Sequence, residues 1–141
     1  MNANLRTILR LVGALAVLAG GLLHFKVWND VYKEIPSGQA PGLWVVKIGF
    51  PVQAAASVLL AVLMIFVRRP IVWAAAVLLD IGSVLALVLS RKASLFGWKE
   101  IGWGGDVRLI LISEVAAVVV ISVLLAMDFQ RVEAENDLAT Y

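Results

Sequence analysis

Four polar side chains sit inside stretches that are otherwise almost wholly apolar: His24, Gln53, Asp80 and Glu114. An imidazole, a carboxamide and two carboxyls can exchange protons, hold a cation, or hydrogen-bond to one another or to a partner. Asp80 falls near the middle of the run from Ile71 to Leu89. A carboxyl at that depth costs about 2.5 to 3.5 kcal/mol even on the lenient insertion scale, so it is expected to avoid lipid. Glu114 lies some two turns into the run from Leu109 to Met127, and Gln53 a similar depth into Leu43 to Val67. His24 stands one turn inside the end of Leu11 to Val27. If the chain runs up, down, up, down, all four occupy the middle or outer part of a bilayer. Lys47 and Arg108 lie closer to that same surface and can snorkel to it.

The four runs must position these groups. At ~1.5 Å rise per residue, a helix needs about 20 apolar residues to cross a ~30 Å hydrocarbon layer, and each run reaches or approaches that length. The 141 residues are 62% hydrophobic, and the mean hydropathy is +0.94. The expectation is an all-α integral membrane protein: a four-helix bundle with short loops, spanning at residues 8–28, 43–67, 71–90 and 107–127, as one domain. Trp28, Val31, Tyr32 and Ile35 recur at i, i+3, i+4 and i+7, with Asn29, Asp30, Lys33 and Glu34 on the other face. The first helix is therefore predicted to run on into an interfacial amphipathic extension, until Pro36, Ser37, Gly38, Pro41 and Gly42 turn the chain back. Residues 128–141 form an acidic tail with Glu133, Glu135 and Asp137, whose charge favours disorder.

Arg6 and Arg10 precede the first apolar run in the manner of a secretory signal, but the run ends in Gly20-Gly21-Leu22-Leu23-His24-Phe25 without a small-x-small cleavage site. A retained first span is expected. Arg6, Arg10, Arg68, Arg69 and Arg131 would lie on one side, and Lys26, Lys33, Lys47, Arg91, Lys92, Lys99 and Arg108 on the other. The raw count slightly favours termini outside. The two arginines flanking the first helix and the dense Arg68-Arg69-Pro70 turn argue instead for both termini in the cytoplasm, in a bacterial-type inner (plasma) membrane.

Several classes of function are excluded. With no cysteine, thiol redox chemistry and thiolate metal sites are absent. The net charge of +2 is scattered and forms no block of like sign, so nucleic acid is not an implied partner. His24 is the single histidine, which leaves a two-histidine haem without its second ligand, and Met64 and Met127 lie near the opposite face. No nucleophile elbow, phosphate loop or metal-ligand spacing occurs. No cofactor, metal site or enzymatic activity is expected.

The connection from Ser90 to Gly105 interleaves Leu95, Phe96, Trp98, Ile101 and Trp103 with Arg91, Lys92, Lys99 and Glu100. That mixture suits the headgroup layer, where indoles anchor and basic side chains meet lipid phosphate. Trp28, Tyr32, Lys47, Phe96, Trp98, Lys99, Trp103 and Arg108 are the candidates for headgroup contact or for docking a partner, helped by a glycine-rich loop.

Asp80 and Glu114 admit three roles. They can hydrogen-bond to Gln53, Ser57, Ser83 and Ser113 and fix which helix faces meet. Either can be the proton or cation site of a small transporter. Either can face a larger partner inside the bilayer and satisfy its basic or polar group. Small residues one turn apart, Ala16 with Gly20, Ser57 with Ala61, Gly82 with Ala86 and Ser113 with Ala117, allow close helix approach within the bundle, to a second copy, or to an integral membrane partner.

His24-x-x-x-Trp28, the segment Tyr32 to Pro36, Leu95-Phe96-Gly97-Trp98-Lys99-Glu100 and the late Glu114 together resemble small actinobacterial-type four-span membrane proteins of undefined function. Among these the chain resembles the LucB-type accessory subunits of the Mce lipid-import complex. The resemblance implies a non-enzymatic accessory or stabilising subunit of an envelope lipid transporter, with membrane lipids and integral membrane proteins as partners. The small multidrug exporters fit less well, since their essential glutamate belongs to the first span, which here has no acid. A self-contained proton- or cation-linked transporter using Asp80 and Glu114 is the alternative.

Overall fold

Residues 3–36, 38–100 and 102–139 are described by a computed structural model, with side chains described for 4–130 of these. Ser37, Ile101 and the acidic side chains after Gln130 lie outside the described residues. Helix α1 runs Ala3–Val27 and passes into one π-helical turn, Trp28–Tyr32. Then come α2 (Leu43–Phe66), α3 (Pro70–Lys92) and α4 (Gly105–Ala139). All four are long and apolar enough to cross a membrane, over 29, 24, 23 and 26 residues. The protein is an all-α, multi-pass, four-helix membrane bundle.

The breaks follow from local chemistry. Arg69, held extended (φ −113°, ψ 128°) before Pro70, ends the turn out of α2, and Pro70 opens α3 at a position where its missing N–H costs nothing. Gly42 caps α2 at φ +73°, a left-handed conformation that favours glycine. Pro51 inside α2 removes one helix bond without ending the helix. The last helix corrects one expectation. Its backbone stays helical to Ala139, so the stretch after Asp128 is a continuation of α4. Ala, Glu, Leu, Arg and Gln dominate it, all good helix formers, and an existing helix spares them the cost of nucleation.

The helices stand in cyclic order, α1 packed most extensively on α2 and α4, α4 on α3, and α2 on α3 least. Arg6 reaches Asp128 at 3.1 Å at one end, and Lys26 reaches Asp106 at 2.6 Å toward the other. Two apolar clusters fill the bundle. One, near the α2–α3 turn, contains Ala14, Val17, Ala61, Met64, Trp73, Ala76, Ala117, Ile121 and Leu124. The other, near the long loop, contains Val27, Tyr32, Leu43, Val46, Leu87 and Ile110. Apart from Ser90, the buried polar groups lie in sequence between the members of these two clusters on every helix.

Candidate functional site

Close approach of α1 makes the polar layer. A Cβ on Gly21 would fall 2.6 Å from the Ser57 Cβ and 3.2 Å from the Ala54 carbonyl oxygen, so only glycine permits this spacing. One turn on, His24 enters the bundle 3% exposed. Its Nδ1 donates to the Gly20 carbonyl at 2.9 Å, since a carbonyl only accepts. That fixes the tautomer and leaves Nε2 as acceptor for the Ser83 hydroxyl at 3.1 Å, across the bundle on α3. Glu114 Oε1 lies 3.7 Å from the same Nε2, within ion-pair reach but too long for a hydrogen bond.

Asp80 and Glu114 are each 1% exposed, so both point into the bundle. They are close enough to influence each other electrostatically. Asp80 Oδ2 and both Glu114 carboxyl oxygens are buried without a hydrogen-bond partner among the described residues. His24 is the one group in this layer able to become positive. Were all three ionised, one net negative charge would remain among apolar neighbours, so the layer's charge balance turns on protons.

His24 and Ser83 also line a cavity of about 330 Å³ between α2 and α3. Its walls are Val45, Val46, Phe50, Leu78, Leu79 and Leu87; Gln53 joins His24 toward mid-helix; Ser90, Arg91, Trp98 and Glu100 stand at the loop end. Gly49 and Gly82 face it from opposite helices, and a Cβ on either would meet nothing within 4 Å. The small-residue pairs divide: Ser57 and Ala117 are buried in the packed interior, while Gly82 borders open space.

A chain of rings ties the deep layer to the loop. His24 and Phe50 have centroids 5.0 Å apart, Tyr32 and Phe50 5.3 Å, and Tyr32 and Trp98 6.3 Å. The Tyr32 hydroxyl donates to Glu100 Oε2, which also accepts from Trp98 Nε1 at 3.1 Å. Lys47 Nζ donates to the Ile35 carbonyl at 2.6 Å, fastening the α1–α2 connection to α2.

These contacts sort the interfacial candidates. Tyr32, Trp98 and Lys47 are engaged within the fold. Trp28 is half-buried with its indole N–H unpartnered among the described residues. Phe96 is 72% exposed at the tip, beside Trp44, and Lys99 and Arg108 are exposed. Trp103 lies under the Arg91 guanidinium, 4.9 Å from its carbon to the ring centroid. Residue spacing alone did not single out Gly49 or the contact of Ser83 with His24, placed Arg91 only among the loop cations, and read Gly82 only as a packing residue. A glycine within each of two consecutive spans was the available signal.

The four intramembrane candidates are thus divided: His24, Asp80 and Glu114 form one layer, and Gln53 shares the cavity with His24. No group of three or more metal-ligating side chains occurs among the described residues. In comparisons with family models, curated proteins and solved structures, the chain matches none.

Proposed function

We propose that this chain is a non-enzymatic, lipid-handling subunit of a larger membrane complex, and that it holds one amphiphilic molecule drawn from the bilayer. The observation that carries the reading is the cavity between α2 and α3, whose walls are apolar and whose two ends are polar. Small-molecule sites have this composition, in volumes of about 300–1,000 Å³. An envelope lipid transporter is the complex that suits such a subunit, in keeping with the resemblance to accessory subunits of lipid import. We place it in a bacterial-type plasma membrane with both termini cytoplasmic. The cysteine-free chain lends itself to testing this by labelling single introduced cysteines from either side.

Purification of a tagged copy from its native membrane in mild detergent, with mass spectrometry of accompanying proteins and lipids, tests the function. Recovery with transporter permease and ATPase subunits, and with an amphiphile that is lost in Gly82→Leu, is the expected result. Recovery alone as a homo-oligomer, with the same lipids in wild type and Gly82→Leu, would overturn it.

The His24–Glu114–Asp80 layer favours a second reading, a proton- or cation-linked carrier. Asp80→Asn and Glu114→Gln nearly preserve shape while removing ionisation. A carrier would lose transport in reconstituted vesicles with its fold intact, whereas an accessory subunit would still assemble and bind lipid.

A further inference from the structure

The loop end of the cavity holds a cation, Arg91, that forms no ion pair among the described residues. Arg91 Nε donates to the Gly102 carbonyl at 3.0 Å, and Nη1 donates to the Leu87 carbonyl at 2.9 Å and to Ser90 Oγ at 3.2 Å. Trp103 supports the guanidinium from one face. These neutral partners fix the direction of the fork without cancelling its charge. Among the described residues no carboxylate lies within ion-pair distance of it, whereas Arg6 has Asp128, and Lys26 has both Asp30 and Asp106. Nη2 makes no hydrogen bond among the described residues, and Arg91 lines the cavity, so a held guanidinium keeps one nitrogen for a ligand there. The nearby acid, Glu100, is engaged through Oε2 by Tyr32 and Trp98.

Beneath Arg91 the lining turns apolar through Leu87, Ala86 and Gly82 on α3 and through Val45, Val46 and Gly49 on α2. Arg91 lies nine positions beyond Gly82, about 13.5 Å along a helix. A volume near 330 Å³ suits one chain rather than two.

We propose that the cavity takes a single-chain amphiphile with an anionic oxyanion head, carboxylate or phosphate, seated on Arg91, its chain lying between α2 and α3 toward Gly82. Guanidinium is well matched to both heads, because its planar fork offers paired N–H donors to paired oxygens. This rests on reading the cavity as an amphiphile site and adds which chemistry enters and which way round. Glu100 lines the same end of the cavity and would repel an anionic head, so removing its charge should tighten binding.

The test uses the full chain in phosphatidylcholine nanodiscs, with decanoate, its methyl ester and decyl phosphate as probes. Wild type is expected to prefer an acid to the ester by about tenfold, the scale of one charge-assisted hydrogen bond. Arg91→Gln should erase that preference and leave ester binding unchanged; Arg91→Lys should keep part of it, and Glu100→Gln should raise it. Lys92→Gln, an exposed neighbouring cation outside the cavity, should leave it intact. Tighter binding of decanoate assigns the head to a free acid, and of decyl phosphate to a monoacyl phosphate. An acid preference that survives Arg91→Gln, or is lost equally in Lys92→Gln, overturns the head-group assignment while the cavity reading stands. Binding of all three probes undiminished by Gly82→Leu overturns the cavity reading itself.

Discussion

Replacing Gly21 with alanine should loosen the bundle at the layer that holds His24, by an amount the geometry bounds. The added Cβ would lie 2.6 Å from Ser57 Cβ. Carbon pairs rest at about 3.5–4.0 Å, so the shortfall is about 1 Å. Ser57 Cβ is the stem of its side chain and cannot rotate away, and the Ala54 carbonyl behind it is backbone. The α1 and α2 axes must separate, and overpacking of this kind costs about 1–3 kcal/mol. Alanine returns up to about 1 kcal/mol through better helix propensity, which would blur the result. Gly82→Ala cancels that gain, because it makes the same chemical change in a helix interior where the new Cβ meets nothing within 4 Å. The difference between the two variants therefore isolates the steric cost, about five- to 150-fold in the unfolding constant. Denaturing-detergent titration followed by tryptophan fluorescence measures it. Adding Ser57→Gly to Gly21→Ala removes the colliding atom and should restore much of the loss, a coupling a double-mutant cycle reads directly. Equal stability of Gly21→Ala and Gly82→Ala would refute the close-approach argument.

Three further outcomes are expected. Tyr32→Phe removes the bond to Glu100 and should cost about 1–3 kcal/mol, seen as faster amide exchange across residues 93–104, with little added effect of Glu100→Gln in the same chain. Gly42→Ala puts a Cβ into the Phe96 carbonyl and the Trp98 amide at a backbone φ of +73°, so it should displace the Leu95–Trp98 turn and change Trp98 emission. Lys26→Ala, by contrast, breaks two ion pairs whose side chains are about half exposed, and should barely shift stability, less still at high salt.

The helices were legible because their signal is a property of consecutive residues: run length and hydropathy need no knowledge of what packs where. Depth was legible for the same reason, which is why His24, Gln53, Asp80 and Glu114 could all be put in the middle or outer part of a bilayer from run position alone. Azimuth was not. Whether Asp80 meets lipid, a partner or its own bundle depends on how α3 is turned, and the structure turns it inward. The cavity was hidden because it is a gap between two helices, and small residues read the same whether they permit contact or leave a void. Gly21 and Gly82 illustrate both outcomes. The link from Tyr32 to Glu100 joins positions 68 apart and had no local signature. The helical end of α4 was read as tail because charge was weighed above the helix propensity of the same residues.

The two apolar clusters bracket the His24 layer like plugs at either end of a tube. A proton or ion travelling down the bundle axis would have to shed its hydration among Met64, Trp73 and Leu124 on one side and Leu43, Leu87 and Ile110 on the other, all buried. This arrangement does not make a through-pore. Beside Glu114 is a seam where His24 and Ser83 line the cavity, His24 Nε2 lying 3.7 Å from Glu114 Oε1. Whatever occupies that seam would stand between the buried acids and the medium, as a stopper stands in the side arm of a flask.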